Sequence, residues 1–382
     1  MSNIIYVDNA ATTLKPRCVL QAVEDFYAAG KGNPYRGASR ESVAATQAYE
    51  RAREEVAAFV GALPGEIVFT RNATEALNVA IAGLLRPGDH AITTAASHNS
   101  VLRPLYRART AGTSLSVLPV APDGSIDADA FEALFRPETR LVVATHASNV
   151  TGDVYDVARL ARISHAHGAL FCLDAAQTAG ALPVRMGGMG LDLVAFTGHK
   201  SLYGPQGTGG LVVAEGVEVP PFKVGGSGVR SFDEEHPRRL PESLEAGTLN
   251  AHGIAGLAAG VAFVERVGED AVAARMRALV ARFEDGVRAI DGVRVVGGRG
   301  GIDRCGIVAV VLEGVDAAEA SARLYADFDI CTRAGAHCAP LMHRALGTED
   351  AGAVRFSFSH FTTEDEVDAA ARALACLARE AT

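Results

Sequence analysis

The sequence predicts an α/β protein, with a large domain built on a mainly parallel sheet between helices and a smaller α+β domain after it. Two observations lead to this prediction. Between about residue 40 and residue 215, short apolar runs alternate with helical patterns. From about residue 250 onward, apolar residues recur at helical spacing, and two more strand-like runs follow.

Six short apolar runs predict the strands of the large domain. Helical patterns lie between them, one beginning at Thr74 and another spanning 157–167. Short apolar strands that alternate with helices are typical of a parallel sheet covered on both faces. The runs are 67–69, 90–94, 141–144, 169–173, 191–196 and 211–213.

The last third of the chain predicts the smaller domain. Strand-like runs at 307–312 and 354–358 follow a long amphipathic helix. We therefore predict an N-terminal segment (1–20) that packs near the small domain, a large domain (21–252) and a small domain (253–382) that carries a cysteine loop. The helix is marked by Val272, Met276, Leu279, Val280, Phe283, Val287 and Ile290.

Length and composition exclude several classes of protein. The 382 residues, 48% of them hydrophobic, are enough to bury a large core. The net charge is −9 and no basic run occurs, so nucleic acid is not an expected partner. No segment approaches the roughly 20 apolar residues that span a bilayer, and the start of the chain lacks a secretion signal pattern. We therefore expect a cytoplasmic protein with no membrane partner.

The six cysteines are scattered and form no CxxC pair. A disulfide framework and a metal site are therefore not expected. Most of these cysteines are expected to be small core residues, with one possible exception. They are Cys18, Cys172, Cys305, Cys331, Cys338 and Cys376.

Polar residues follow the strand-like runs of the large domain. Ligands of parallel sheets bind beyond the carboxyl ends of the strands, so these residues are expected to share one site. Lysine is scarce, and Lys200 is the best candidate for Schiff-base chemistry because Lys15, Lys31 and Lys223 follow no buried strand. The strand-end residues are Thr74, His98, His146, Asn149, Asp174 and Lys200.

Asp174 and Lys200 each allow two interpretations. A carboxylate that ends a buried strand is costly unless paired, and Asp174 could hold a protonated pyridine nitrogen. It could equally be a helix N-cap or part of a structural salt bridge. Lys200 could reach the same crevice, or it could be an ordinary exposed loop lysine.

Residues 70–77 follow a strand and open a helix, which favours a phosphate at the helix N-terminus. Thr74 could add a hydroxyl donor, or it could be a plain N-cap. His98 could lie flat on a pyridine ring, or it could be a surface or core histidine. His165 and His167 remain unassigned.

Arg355 and Cys338 are the candidates in the small domain. Arg355 points away from the strand face that Val354 and Phe356 share, and its guanidinium could grip a carboxylate. The alternative is a surface arginine on an edge strand. Arg333 and His337 could favour the Cys338 thiolate, whereas the alternative is an inert loop cysteine.

Several motifs together resemble a known family. Residues 174–177 (DAAQ) and 197–200 (TGHK) resemble the class V aminotransferase superfamily of fold-type I enzymes that depend on pyridoxal 5′-phosphate (PLP). Residues 333–339 (RAGAHCA) resemble the cysteine loop of group II cysteine desulfurases and selenocysteine lyases. Residues 6–13, 146–152 and 246–250 match the same group in the same order, so the resemblance covers nearly the whole chain.

The resemblance implies a role for each matching residue. Lys200 would bind PLP as a Schiff base, Asp174 would pair with the pyridine nitrogen, and Gln177 would contact the ring hydroxyl. His98 would stack on the ring, Asn149 would lie beside the ring and the substrate amine, and Arg355 would bind the substrate carboxylate. Thr248 would contact the phosphate of a neighbouring subunit, which implies a homodimer. The remaining cofactor-binding residues would be Ala73, Thr74, Thr197 and His199.

The implied reaction converts L-cysteine to L-alanine. Lys200 would move the α-proton, and the Cys338 thiolate would take the substrate sulfur as a persulfide for an acceptor thiol or protein. The alternatives are a selenocysteine lyase, a cysteine-sulfinate lyase, another class V enzyme, or a non-catalytic sulfur carrier. Ser97 and Ala336 depart from the residues that many relatives carry.

Overall fold

A computed structural model describes residues 4–29, 32–298 and 303–381. Within these ranges strands and helices mostly alternate as far as β7, and β8 follows without a helix between them. The later strands form a four-stranded sheet and, together with β1, a two-stranded one. The strands are β1 (Ile5–Tyr6), β2 (Ile67–Thr70), β3 (His90–Thr94), β4 (Ser114–Leu118), β5 (Thr139–Thr145), β6 (Leu170–Asp174), β7 (Leu193–Thr197), β8 (Gly209–Val213), β9 (Val293–Val296), β10 (Ile307–Leu312), β11 (Ile330–Cys331), β12 (Arg333–Gly335) and β13 (Ala353–Ser357).

Helices pack on strands of both the large sheet and the small sheet. A 3₁₀ turn at Pro64–Glu66 leads into β2. The helices are α1 (Arg17–Ala28), α2 (Arg40–Val60), α3 (Ala73–Leu84), α4 (Asn99–Thr110), α5 (Ala128–Glu132), α6 (Val157–Ala166), α7 (Met186–Met189), α8 (Ala251–Val267), α9 (Glu269–Val287), α10 (Ala317–Phe328), α11 (Pro340–Ala345) and α12 (Glu364–Ala381).

The large sheet has seven strands in the order β2-β8-β7-β6-β5-β3-β4. Neighbouring strands from β7 to β4 are parallel, whereas β8 is antiparallel to both β2 and β7. Every residue of β7 is buried, which explains its continuous apolar run. The predicted mainly parallel sheet is confirmed, and all six predicted runs are strands of it.

The strand β4 has no counterpart among the predicted runs. It lies at the edge of the sheet, and serines alternate with apolar residues in its sequence. All but its last residue are only half-buried. An edge strand needs less apolar surface than a central one, so its sequence resembles that of a loop.

The small sheet has the order β12-β13-β10-β9, and all its neighbouring strands are antiparallel. The predicted amphipathic helix corresponds to α9 and buries Leu279, Phe283 and Val287, although Ile290 lies beyond its end. Because β13 lies between β12 and β10, it is not an edge strand. The alternative of a surface Arg355 on an edge strand is wrong.

The N-terminal segment contacts the last part of the chain. Strand β1 pairs in parallel with β11, and Asp8 forms a bridge with Ser357. Residues 1–3 lie outside the described residues. The division at 252/253 stays a prediction; it falls inside α8, which packs on α1 and α2.

In the described part of the chain, no helix combines the length and the apolarity that crossing a membrane requires. The same residues contain no group of three or more His, Cys, Asp or Glu side chains that could hold a metal ion.

Candidate active site

A cavity of about 240 Å³ lies beyond the carboxyl ends of the central strands. It is also lined by Arg333 and His337, which come from the small sheet and the loop after it. Most of the residues predicted to form the site line this cavity. They are Ala73, Thr74, His98, Asn149, Asp174, Gln177, Thr197, His199, Lys200 and Arg355.

Asp174 is the last residue of β6 and is 4% exposed. Its Oδ1 accepts a hydrogen bond from the Ala176 N–H at 3.0 Å. Burial raises the pKa of Asp174, while that N–H and nearby Lys200 lower it. Among the described residues, no cation forms an ion pair with this carboxylate and no helix begins at it. The two structural alternatives are therefore wrong, and Asp174 is suited to pair with a cation in the cavity.

Lys200 follows β7 and lines the cavity opposite the end of β6, so it is not an ordinary exposed loop lysine. Burial, and then the positive charge of Arg355, lower its pKa to about 8, against the opposing effect of Asp174. Its amine is therefore easier to deprotonate than an ordinary lysine amine. Lys223 pairs with Glu75 on the surface, and Lys31 lies outside the described residues.

The loop that carries Lys200 is held by the N-terminal segment. The Thr13 hydroxyl donates to the Lys200 carbonyl at 2.7 Å, and the Thr13 N–H donates to the His199 carbonyl at 3.0 Å. Lys15 Nζ donates to the same His199 carbonyl at 2.8 Å. Residues 6–13 stand out in the sequence as a motif, but this contact was not predicted.

Hydroxyl and imidazole groups cluster at the N-terminus of α3. Asn72, not Thr74, is the N-cap, because its side chain accepts from the Glu75 N–H. The Thr74 hydroxyl instead lies 2.7 Å from the hydroxyl of Ser100. Thr197 Oγ1 lies 2.8 Å from His199 Nδ1. Free N–H groups of a first helical turn, together with these side chains, are suited to bind an anion.

His98 is the N-cap of α4 and faces the cavity as a neutral ring. Its Nδ1 accepts from the Ser100 N–H at 3.0 Å, so the ring proton lies on Nε2. Burial, and then the charge of Lys200, lower its pKa to about 4. Ser100, which contacts both Thr74 and His98, was missed by the sequence analysis.

His146 does not join the site, although its position after β5 predicted that it would. Its Nδ1 lies 2.9 Å from the Thr178 hydroxyl, and the ring is 5% exposed. Burial lowers its pKa from the ordinary value of 6.5 to about 4. His165 and His167 also lie elsewhere, paired with Asp192 and Glu132.

The His146 ring predicts a pH dependence of stability. Between pH 6.5 and pH 4 the His146 ring binds more protons in the unfolded chain than in the folded protein. The folded protein therefore loses stability as the pH falls through that window. His146→Asn keeps an acceptor for Thr178 but cannot titrate. We measure the free energy of unfolding by urea titration at each pH. We expect that of the native protein to fall more steeply with acidification than that of His146→Asn, by up to about 1.4 kcal/mol per pH unit. Parallel curves for the two proteins would contradict this.

Arg355 is the most deeply buried cation that lines the cavity, at 2% exposed. Its Nη2 donates to Asp8 Oδ1 at 2.9 Å, and its Nη1 donates to the Asn149 carbonyl at 3.0 Å. Arg355 Nε and Asn149 Oδ1 are buried without a partner. Two residues that line the cavity thus hold one unpaired donor and one unpaired acceptor, as expected for groups that bind a polar ligand. The role of Asp8 was not predicted.

Cys338 lies on a strained turn next to the cavity. His337 and Cys338 both have left-handed backbone conformations, with φ of 49° and 57°. The Cys338 carbonyl accepts from the Asn99 N–H at 2.7 Å, beside His98, and the His337 carbonyl accepts from Asn149 Nδ2 at 2.7 Å. Strain of this kind is typical of functional loops. Cys338 itself is exposed and does not line the cavity.

The other cysteines differ in part from the prediction. All six are free thiols, but only Cys172 and Cys305 are buried. Cys18, Cys331 and Cys376 are half-buried, so the expectation that most would be core residues is wrong. Thr248 is exposed and does not line the cavity either.

Together these features define an α/β enzyme with a buried carboxylate, a lysine of lowered pKa, an anion site at a helix N-terminus and a buried arginine around one cavity. A family model described as aminotransferase class-V matches residues 5–370. The chain belongs to this family, and the predicted superfamily is confirmed.

Relatives are similar over nearly the whole chain. A protein named probable cysteine desulfurase 2 from Mycobacterium leprae (strain TN) is 37% identical over 381 residues, which cover 96% of this chain and 90% of the relative. The apo structure of a cysteine desulfurase from Thermococcus onnurineus NA1 has a TM-score of 0.93 at 34% identity, covering 99% of this chain and 95% of that one. The cysteine desulfurase CsdA (S-sulfonic acid) from Escherichia coli has a TM-score of 0.89 at 33% identity, with the same coverage.

Proposed function

We propose that this chain is a PLP-dependent cysteine desulfurase that transfers sulfur from L-cysteine to Cys338. One observation carries the proposal: Asp174, Lys200 and Arg355 surround a single cavity, and Cys338 lies on a strained turn beside it. The names of the relatives, which are cysteine desulfurases, support the same activity.

The residues around the cavity fit PLP. Asp174, a buried carboxylate without an ion pair among the described residues, would hold a protonated pyridine nitrogen. Lys200 would form the covalent link, and His98 would stack on the ring. Ala73 and Thr74, with Thr197 and His199, would bind the phosphate. The cofactor supplies an electron sink that makes the α-carbon of a bound amino acid acidic.

Gln177 and Asn149 complete the proposed contacts with the cofactor. Gln177 Nε2 donates to the Ala10 carbonyl at 3.3 Å, which fixes the side chain at the cavity wall for a contact with the ring hydroxyl. Asn149 is held by His337 and has a free Oδ1, which suits a substrate amine.

Arg355 is proposed to bind the substrate carboxylate through its guanidinium, whose Nε has no partner in the structure. Asp8 and the Asn149 carbonyl hold the group in place before a substrate arrives. A fixed arginine near Lys200 would orient an α-amino acid, and Lys200, with its lowered pKa, would move the α-proton. L-Cysteine is the proposed substrate, and selenocysteine has the same recognition groups.

The sulfur-transfer step balances without an external oxidant. The Cys338 thiolate attacks the substrate sulfur, an S–S bond forms, and the Cβ–S bond breaks. The bonding electron pair stays on Cβ, which takes a proton, so the products are alanine and a persulfide on Cys338. An acceptor thiol or protein must then remove that sulfur.

A homodimer is also part of the proposal. Thr248 is exposed, and large apolar side chains of the same segment, Val224, Val229 and Phe232, are exposed with it. Burying such groups favours association. A second copy covering them would bring Thr248 of the partner subunit to the phosphate. A cytoplasmic location fits six free thiols, which an oxidising compartment would threaten.

The direct test is an assay of the PLP-loaded protein with L-cysteine and a thiol reductant. We expect alanine and sulfide in equal amounts. Selenocysteine and cysteine sulfinate, assayed in parallel, separate the alternatives, because a lyase for either would act on it and leave L-cysteine unchanged. Absence of alanine from L-cysteine would refute the proposed activity.

A further inference from the structure

A chain of hydrogen bonds lies behind the turn that carries Cys338. His337 Nδ1 lies 3.2 Å from His343 Nε2, and the two rings lie edge to edge, with centroids 5.4 Å apart and planes 17° apart. His343 Nδ1 lies 2.7 Å from the Thr348 hydroxyl, and His337 Nε2 lies 3.0 Å from the Arg333 carbonyl. Both rings are almost fully buried, His337 at 4% and His343 at 1% exposed.

The partners fix where the protons lie. The Arg333 carbonyl can only accept, so His337 carries its proton on Nε2 and offers an unprotonated Nδ1. His343 must then donate from Nε2 and accept from the Thr348 hydroxyl at Nδ1. Burial lowers the pKa of His337 to about 3 and that of His343 below its usual value, so both rings are neutral, as this assignment requires.

This chain of hydrogen bonds is attached to the strained part of the loop. His337 is one of two adjacent non-glycine residues of this loop with left-handed backbone, and the other is Cys338 itself. Its side chain is held from behind by His343, while its carbonyl is held from the cavity side by Asn149. A non-glycine residue in this conformation is strained and persists only where its surroundings hold it.

We propose that His343 is a positioning residue for Cys338: by donating from Nε2 to His337 Nδ1, it holds the strained turn that presents the thiol to the cavity. The inference rests on the proposed role of Cys338 as the sulfur acceptor. His343 contacts neither the cavity nor the thiol, so it acts through His337 alone.

Two substitutions separate the two hydrogen bonds of the His343 ring, to His337 and to Thr348. In His343→Gln the amide nitrogen lies at the same number of bonds from the backbone as Nε2, so a donor to His337 remains. In His343→Asn the amide oxygen replaces Nδ1, which keeps an acceptor for Thr348 but removes the donor to His337. A role that merely fills space or bonds Thr348 would be served by asparagine as well as by glutamine.

Hydrogen exchange of the PLP-loaded protein, read by mass spectrometry, reports the loop without reference to activity. For His343→Asn we expect faster exchange in a peptide covering 333–339, with unchanged exchange in α9. For this variant kcat with L-cysteine falls at least about tenfold, because displacement of a reacting group by even an ångström is costly. KM stays unchanged, because Arg355 keeps its contacts. His343→Gln behaves like the native protein in both measurements.

Equal behaviour of the two variants would overturn the inference. If His343→Asn does not fold, His343→Gln tests the same hydrogen bonds, because it keeps the donor to His337 and removes the acceptor for Thr348. Faster exchange in 333–339 or a kcat lowered about tenfold in that variant would also overturn the inference. Failure of the proposed function has a different signature: Cys338→Ala would then keep its turnover of L-cysteine, whatever His343 does.

Discussion

Replacing Cys338 with alanine is expected to lower turnover of L-cysteine at least about a thousandfold, the scale of loss when a nucleophile is removed. The PLP absorbance band stays, because Asp174 and Lys200 are not touched. The rate of alanine release with saturating L-cysteine and a reductant measures this loss of turnover. The physical reason is that no other thiol is both exposed and next to the cavity in the described part of the chain.

Cys331→Ser is the matched control. Cys331 is half-buried on β11, seven residues before Cys338, and its carbonyl accepts from the Val7 N–H of the N-terminal segment. This variant should keep native turnover. If Cys338→Ala retained the native rate, sulfur transfer through this thiol would be excluded, and a lyase mechanism would replace it.

Replacing Lys200 with alanine is expected to remove the covalent link to PLP and to lower turnover by about 10⁴-fold, since a group that moves the α-proton contributes up to that amount. The absorbance of the linked cofactor disappears. Borohydride treatment followed by peptide mass spectrometry, which labels position 200 in the native protein, finds no label in the variant.

Lys223→Ala serves as the comparison for Lys200→Ala. Lys223 is a surface residue paired with Glu75, so its removal should alter neither the absorbance nor the rate. Borohydride labelling of Lys15 or Lys223 in the native protein would show that the cofactor is linked elsewhere.

The positions of six strands of the large sheet and the place of the site could be predicted because they follow from local patterns. Buried parallel strands are continuous apolar runs, and their carboxyl ends meet at one edge of the sheet. Asp174 and Lys200 were predicted to meet on this basis, and both line the cavity. The periodicity of apolar residues thus predicts the mainly parallel sheet, and the polar residues that follow its strands predict the site.

The contacts that hold the site in place could not be predicted, because they join residues far apart in the chain. Asp8 and Arg355 are separated by 347 positions, and Thr13 and Lys200 by 187. Nothing in the local sequence of Asp8 marks it as the partner of an arginine in the small sheet. Such pairings emerge only when the N-terminal segment is placed between the two sheets.

His146 shows the limit of reasoning from strand ends. Its position after β5 is equivalent to that of residues in the site, but its ring turns to Thr178. Side chains alternate between the two faces of a strand, so a position at the carboxyl end does not fix the direction of the side chain. The side chain of Asn149, three residues further on, reaches the cavity instead.

The central claim is that sulfur leaves a substrate bound between Lys200 and Arg355 and arrives on Cys338. The most direct measurement is peptide mass spectrometry of the PLP-loaded protein after one turnover of L-cysteine without reductant, with free thiols alkylated. We predict one added sulfur atom on the peptide that contains Cys338, and none there in Lys200→Ala. Formation of alanine with Cys338 unmodified, or with the added sulfur on another cysteine, would contradict the claim.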